Sequence, residues 1–111
     1  MNVNFNGIGE NVVTFMADSS LTAAGVPVKV SADGTVAPCQ SSENFCGLCV
    51  GVRDGYAAVQ IAGYALFPAS TKITAGYQKL AVNASGKVAV NTNGRELLVV
   101  DSTATEVGVI L

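Results

Sequence analysis

The sequence predicts an all-β protein, a small compact β-barrel of short antiparallel strands and hairpins, and three observations carry that prediction. Apolar residues, valine foremost, recur with a period of two along almost the whole chain. Turn signals punctuate that pattern at the spacing expected of many short strands. The only stretch with helical character, Ser19 to Ala24, is too short for an independent helix and predicts a turn or a single coil.

Taken in order, the first ten residues stand apart. Asn2, Asn4 and Asn6 alternate with Val3 and Phe5 ahead of Gly7, Ile8 and Gly9, with no turn to bring the chain back. This predicts an N-terminal arm over residues 1–10, followed by a single β-barrel domain over 11–111. Next comes a pair of hairpins that read as copies: Val30-Ser31-Ala32-Asp33-Gly34-Thr35-Val36-Ala37 aligns with Val82-Asn83-Ala84-Ser85-Gly86-Lys87-Val88-Ala89, with Val, Ala, Gly, Val and Ala shared. A type I turn closed by a left-handed glycine would set Val30 opposite Val36 and Val82 opposite Val88. An Ala-Gly pair precedes each copy, Ala24-Gly25 and Ala75-Gly76. Two copies are too few for a solenoid, so they predict a small domain with internal pseudo-symmetry.

The clearest hairpin runs from Leu48 to Ala62. Asp54-Gly55 supplies the two positive-φ residues of a tight type I′ turn. Counting outward pairs Val52 with Ala57, Val50 with Val59 and Leu48 with Ile61 on an apolar face, leaving Arg53, Gly51 and Cys49 with Tyr56, Ala58 and Gln60 on the other. The C-terminal third predicts a strand from Glu96 to Asp101, a turn over Ser102-Thr103-Ala104-Thr105, and a last strand from Val107 to Leu111.

Composition narrows function by exclusion. The 111 residues suit one domain. Charged residues make up 13%, about half the usual ~25%, against 50% hydrophobic, so apolar surface is expected to serve partners. A net charge of -2 and a pI near 4.8 remove the electrostatic footprint of a nucleic-acid binder. The complete lack of histidine removes the commonest general base and neutral metal ligand. No apolar run reaches the ~20 residues that span a bilayer. The N-terminus lacks a secretory pattern, and three cysteines are an odd number, so reduced thiols in the cytoplasm are expected.

The remaining motifs have structural explanations. Cys46-Gly47-Leu48-Cys49 is a CxxC, but strand alternation predicts that its thiols point to opposite sides, and a zinc site would lack a fourth ligand. Asp33 and Asp54 belong to turns; Glu96 and Asp101 could meet across the C-terminal hairpin, but they, like Glu10, Asp18, Glu43 and Glu106, read as solubilising charges rather than an acid-base pair. Gly7-Ile8-Gly9 lacks the spacing and helix of a phosphate loop. Tyr56, Tyr64, Tyr77, Phe45 and Phe67 lack the interleaved basic residues of a stacking platform and read as core and rim. These readings predict a non-enzyme with no cofactor, no metal and no catalytic residues.

The order Ala24-Gly25-Val26-Pro27-Val28, Asp33-Gly34-Thr35-Val36-Ala37-Pro38, the strand from Gly47 to Val52, Val59-Gln60-Ile61-Ala62-Gly63-Tyr64, and Ala75-Gly76 before the Gly86 hairpin resembles the capsid decoration, or cement, proteins of tailed bacteriophages. The resemblance spans roughly residues 20–111. It implies a barrel that clusters as a homo-oligomer, often a trimer, on the outer surface of the expanded head. There it would bind the major capsid protein and stabilise capsomer contacts in the virion. Family members commonly use an N-terminal arm, which here would place Asn2, Val3, Asn4, Phe5 and Ile8 against the capsid. The other reading is a β-clip or biotinyl-like carrier domain associated with an enzyme, but Lys29, Lys72, Lys79 and Lys87 lack the hairpin-tip setting a carrier lysine needs.

Overall fold

The computed structural model describes residues 10–111, so the expected arm, with Asn2, Val3, Asn4, Phe5 and Ile8, lies outside the described residues. Among those described there is no helix, hence none long and apolar enough to cross a membrane. Ten strands follow one another: β1 (Asn11–Ala17), β2 (Pro27–Ala32), β3 (Thr35–Pro38), β4 (Gly47–Arg53), β5 (Tyr56–Ala62), β6 (Tyr64–Pro68), β7 (Gly76–Val82), β8 (Val88–Val90), β9 (Arg95–Ser102) and β10 (Glu106–Ile110). The first five form a closed barrel in the order β1-β3-β2-β4-β5, and the second five a sheet in the order β6-β10-β9-β7-β8. The fold is therefore all-β with a closed barrel, as predicted. Its strands divide between two sheets, and one barrel pairing, β1 with β3, is parallel.

The pseudo-symmetry reaches much further than the two hairpins that announce it. Four of the barrel's five pairings have a counterpart in the second sheet: β2 with β3 and β7 with β8, β2 with β4 and β7 with β9, β4 with β5 and β9 with β10, β1 with β5 and β6 with β10. The registers agree as well. Phe15 pairs with Ala57 as Phe67 pairs with Val107, and the parallel contact of Ala17 with Val36 recurs as an isolated bridge of Ala69 with Val88. Loop bonds repeat too. Ala17 N–H donates to Gly55 O and Ala69 N–H to Thr105 O, both at 2.9 Å.

Turn chemistry explains where the chain reverses. Asp54 and Gly55 have φ of 53° and 80°, the two left-handed residues that a type I′ turn demands. The predicted pairs Val52–Ala57, Val30–Val36 and Val82–Val88 are all present. Further from the Asp54-Gly55 turn the predicted register fails. A β-bulge at Val50 sets Cys49 opposite Val59 and Leu48 opposite Gln60, so the expected pairs Val50–Val59 and Leu48–Ile61 do not form. The inserted residue turns Val50 out to solvent and Cys49 into the core. An equivalent bulge at Val100 interrupts β9 against β10.

The core has two parts. Leu21, Val28, Val36, Cys49, Ala57 and Val59 fill the barrel. The larger part lies under the second sheet and includes Phe67, Leu80, Val82, Val88, Leu97, Val99, Val107 and Val109, together with Cys39, Phe45 and Leu48 from the first half. Leu48 and Cys49 are thus adjacent on β4 yet buried in different clusters. This end of β4 is covered on both faces, which is why strict alternation of buried and exposed residues breaks down there.

The halves are joined by the loop between β3 and β4. It spans residues 39–46, whereas its counterpart between β8 and β9 spans only 91–94. The extra length reaches across to the second half: Ser42 N–H donates to Val82 O at 2.7 Å, and Val82 N–H donates to Glu43 O at 3.1 Å. Phe45 then stacks on Phe67 with ring centroids 4.7 Å apart and planes tilted by 47°. Burial of such a ring contributes about 1.5–3 kcal/mol. Glu43 anchors the loop from outside, accepting from Lys29 Nζ at 2.6 Å and from Gln40 N–H at 2.7 Å. The Lys29 hydrogen bond is the main cause of its lowered carboxyl pKa.

Candidate interaction faces

The residues that the sequence marks as chemically interesting are dispersed. Cys49 is buried within the barrel cluster, Cys46 packs at the edge of the same cluster, and Cys39 belongs to the larger one. Cys46 and Cys49 therefore do not point to opposite sides as predicted, because β4 begins only at Gly47 and strand alternation does not extend back to Cys46. All three are free thiols. Burial pushes each above the ordinary thiol range, Cys39 to about 12, so they are poor nucleophiles. Among the described residues no three acids or cysteines gather where they could hold a metal ion.

The acids do not form a catalytic pair either. Glu96 and Asp101 do not face each other across the C-terminal hairpin, since both lie on β9. Asp18 caps its own turn, accepting from the Ser20 N–H at 2.9 Å and the Ser20 hydroxyl at 2.7 Å, and those bonds lower its pKa. The aromatic residues split. Phe45, Phe67 and Tyr64 are buried, whereas Tyr56 and Tyr77 are 57% and 70% exposed and belong to neither core nor a covered rim.

What the fold assembles instead is a pair of outward faces at equivalent places. On the barrel, the side of β1, β4 and β5 away from the core carries a shallow groove of about 310 Å³ lined by Thr14, Gly51, Val52, Arg53, Tyr56 and Ala58, with Ala57 at its floor. Met16, paired with Tyr56, and Val12 are both at least half exposed beside it. Together they form an apolar stripe with one cation at its end. Period-two patterning signals a strand but is silent on which side is outward, so this stripe is not evident from the sequence.

On the second sheet the corresponding groove, of about 450 Å³, is lined by Tyr64, Leu66, Asp101, Ser102, Thr103 and Glu106. The structural equivalence sets Asp101 where the barrel has Gly51, and Glu106 where it has Tyr56. Tyr64 Oη donates to Asp101 Oδ1 at 3.0 Å. Burial, followed by the Asp101 contact, raises the Tyr64 phenol to about 12, so it remains a donor throughout the neutral range. This arrangement depends on Gly108, paired with both Asp101 and Leu66, because a Cβ there would collide with Asp101 Oδ1 and the Tyr64 hydroxyl.

Gln60 is the one buried polar side chain in the described core, at the junction of the two halves. Its Nε2 donates to Tyr64 O at 2.6 Å and to Ala62 O at 3.1 Å, tying down the crossover from β5 to β6. No buried side-chain polar atom is left unpaired among the described residues. No family model matches the chain, and no curated protein matches it.

Proposed function

We propose that this protein is a structural component of a phage virion, binding the outer surface of the expanded head as a homo-oligomer and reinforcing contacts between capsomers. The observation that carries the reading is a scaffold with its polar groups satisfied that leaves an apolar stripe, Val12, Met16 and Tyr56, facing solvent. Such a surface suits a binding module, because exposed apolar side chains grouped on one face are characteristic of interaction sites. The low charge, and a glycine-pinned strand pattern that resembles that of capsid decoration proteins, support the same reading. Residues 1–10 would add a second contact by strand addition at a capsid sheet edge, where main-chain bonds give affinity and alternate side chains enter pockets. Multiplicity strengthens weak contacts, since several sites in one oligomer raise avidity by ~10² to 10⁴.

The test is cosedimentation with expanded, undecorated heads of the phage or prophage that encodes the chain. Saturable binding at a fixed ratio to the major capsid protein, with a higher temperature of head disruption, is the expected result. Heads that sediment without the protein would refute the capsid reading.

A further inference from the structure

The two outward faces lie on equivalent strands but carry opposite chemistry. The barrel groove ends in Arg53 beside Tyr56, with Met16 exposed at its edge. The groove of the second sheet carries Asp101 and Glu106 beside Leu66, which is itself 42% exposed. We propose that the barrel groove of one copy docks head to tail into the acidic groove of a second copy. In this contact the Arg53 guanidinium meets Glu106 and Asp101, and Met16 and Tyr56 cover Leu66. The inference rests on the oligomeric part of the reading above and is independent of the capsid.

Three features favour a second copy as the occupant. Arg53 is available, because its only ion pair among the described residues, with Asp54 at 3.6 Å, joins side chains that are 92% and 85% exposed and is screened by water. The acidic groove is preorganised, because the Tyr64 hydroxyl holds Asp101 in place above Gly108 before any partner arrives. The two grooves are also complementary: one offers a planar, multidentate cation framed by apolar side chains, and the other offers two carboxylates framed by an apolar side chain. Because the contact joins unlike faces it is heterologous, and its repetition closes into a ring or runs on as a filament.

Analytical ultracentrifugation of the whole chain tests this, with Arg53→Glu, Glu106→Arg and the double variant compared against the parent. Both side chains are exposed, and the hydrogen bonds of Glu106 run through its backbone N–H and carbonyl, so the substitutions leave folding intact, which thermal melting verifies. The parent is expected to self-associate. Each single reversal should weaken association by about tenfold or more, because like charges then face each other. The double variant restores opposite signs between positions 53 and 106 while Asp101 keeps its charge, so it should associate more tightly than either single variant though less than the parent. A parent that stays monomeric, single variants that associate like the parent, or a double variant that associates no better than the single ones would each overturn the proposal. Head binding is measured separately, so a chain that self-associates without decorating heads refutes only the capsid reading.

Discussion

In the first half of the molecule, Met16 N–H donates to Gly34 O at 2.8 Å and Asp18 N–H donates to Val36 O at 2.9 Å, stitching β1 to β3 and closing the barrel. In the second half, the place of Met16 is taken by Pro68, which has no N–H to give. Only the bridge between Ala69 and Val88 remains along that seam, and the sheet stays open. Two copies of one strand plan thus differ in closure, and at this seam the second copy lacks the backbone donor that Met16 supplies in the first. Proline is tolerated there because the strand lies at a sheet edge. The open half is supported from outside by the loop of residues 39–46, which buries Phe45 against Phe67 and bonds to the end of β7. Among the described residues the closed half receives no equivalent, since the loop of residues 91–94 is too short to reach across.

The sharpest way to break this comparison is to remove the shared ring. Phe45→Ala should cost about 3–5 kcal/mol in chemical denaturation, the range for emptying a buried aromatic site. Hydrogen exchange should accelerate first in β6 to β10. A loss below about 1 kcal/mol would mean that the open sheet stands without help from the loop.

A smaller effect is expected from Gly108→Ala. Its equivalent in the barrel is Ala58, where the facing residues Gly51 and Thr14 leave room for a methyl group. At position 108 the methyl would displace Asp101 and Tyr64, costing about 1–3 kcal/mol as overpacking does. A melting temperature equal to that of the parent would show that the Tyr64–Asp101 bond does not require the glycine.

The smallest effect tests closure itself. Pro68→Met restores the missing donor, and a typical hydrogen bond contributes about 0.5–1.5 kcal/mol. Loss of the proline restraint on the unfolded chain offsets about 0.4–1 kcal/mol of this. Net stability should change little, so the informative measurement is amide exchange. The new amide at 68 should be protected, and those of β8 should slow. An amide at 68 that exchanges like an exposed one would show that the seam is held open by something other than the proline.

How much of this could be read in advance varies with the range of the interaction. The Asp54-Gly55 turn, both copied hairpins and the C-terminal strand pair are visible in the chain because each depends on residues a few positions apart. The full duplication is harder to see. Its first strand shares only Phe15 and Ala17 with Phe67 and Ala69, and what is repeated is the pattern of pairing rather than side-chain identity. The interaction faces were not visible at all. The sequence points to Asn2, Val3, Asn4, Phe5 and Ile8, which lie outside the described residues, whereas nothing in it groups Val12, Met16 and Tyr56 on one face.

The sequence by itself determined the fold class, the turns and the registers next to them, because a positive φ at Gly55 or an alternation of valines is a local property of the chain. Tertiary structure decided the bulges at Val50 and Val100, the division into a closed and an open sheet, and the burial of both faces at the start of β4. Each of those depends on what packs against a strand from a distant part of the chain. Burial energy is set by the neighbours that exclude water, and no periodicity within the strand names them.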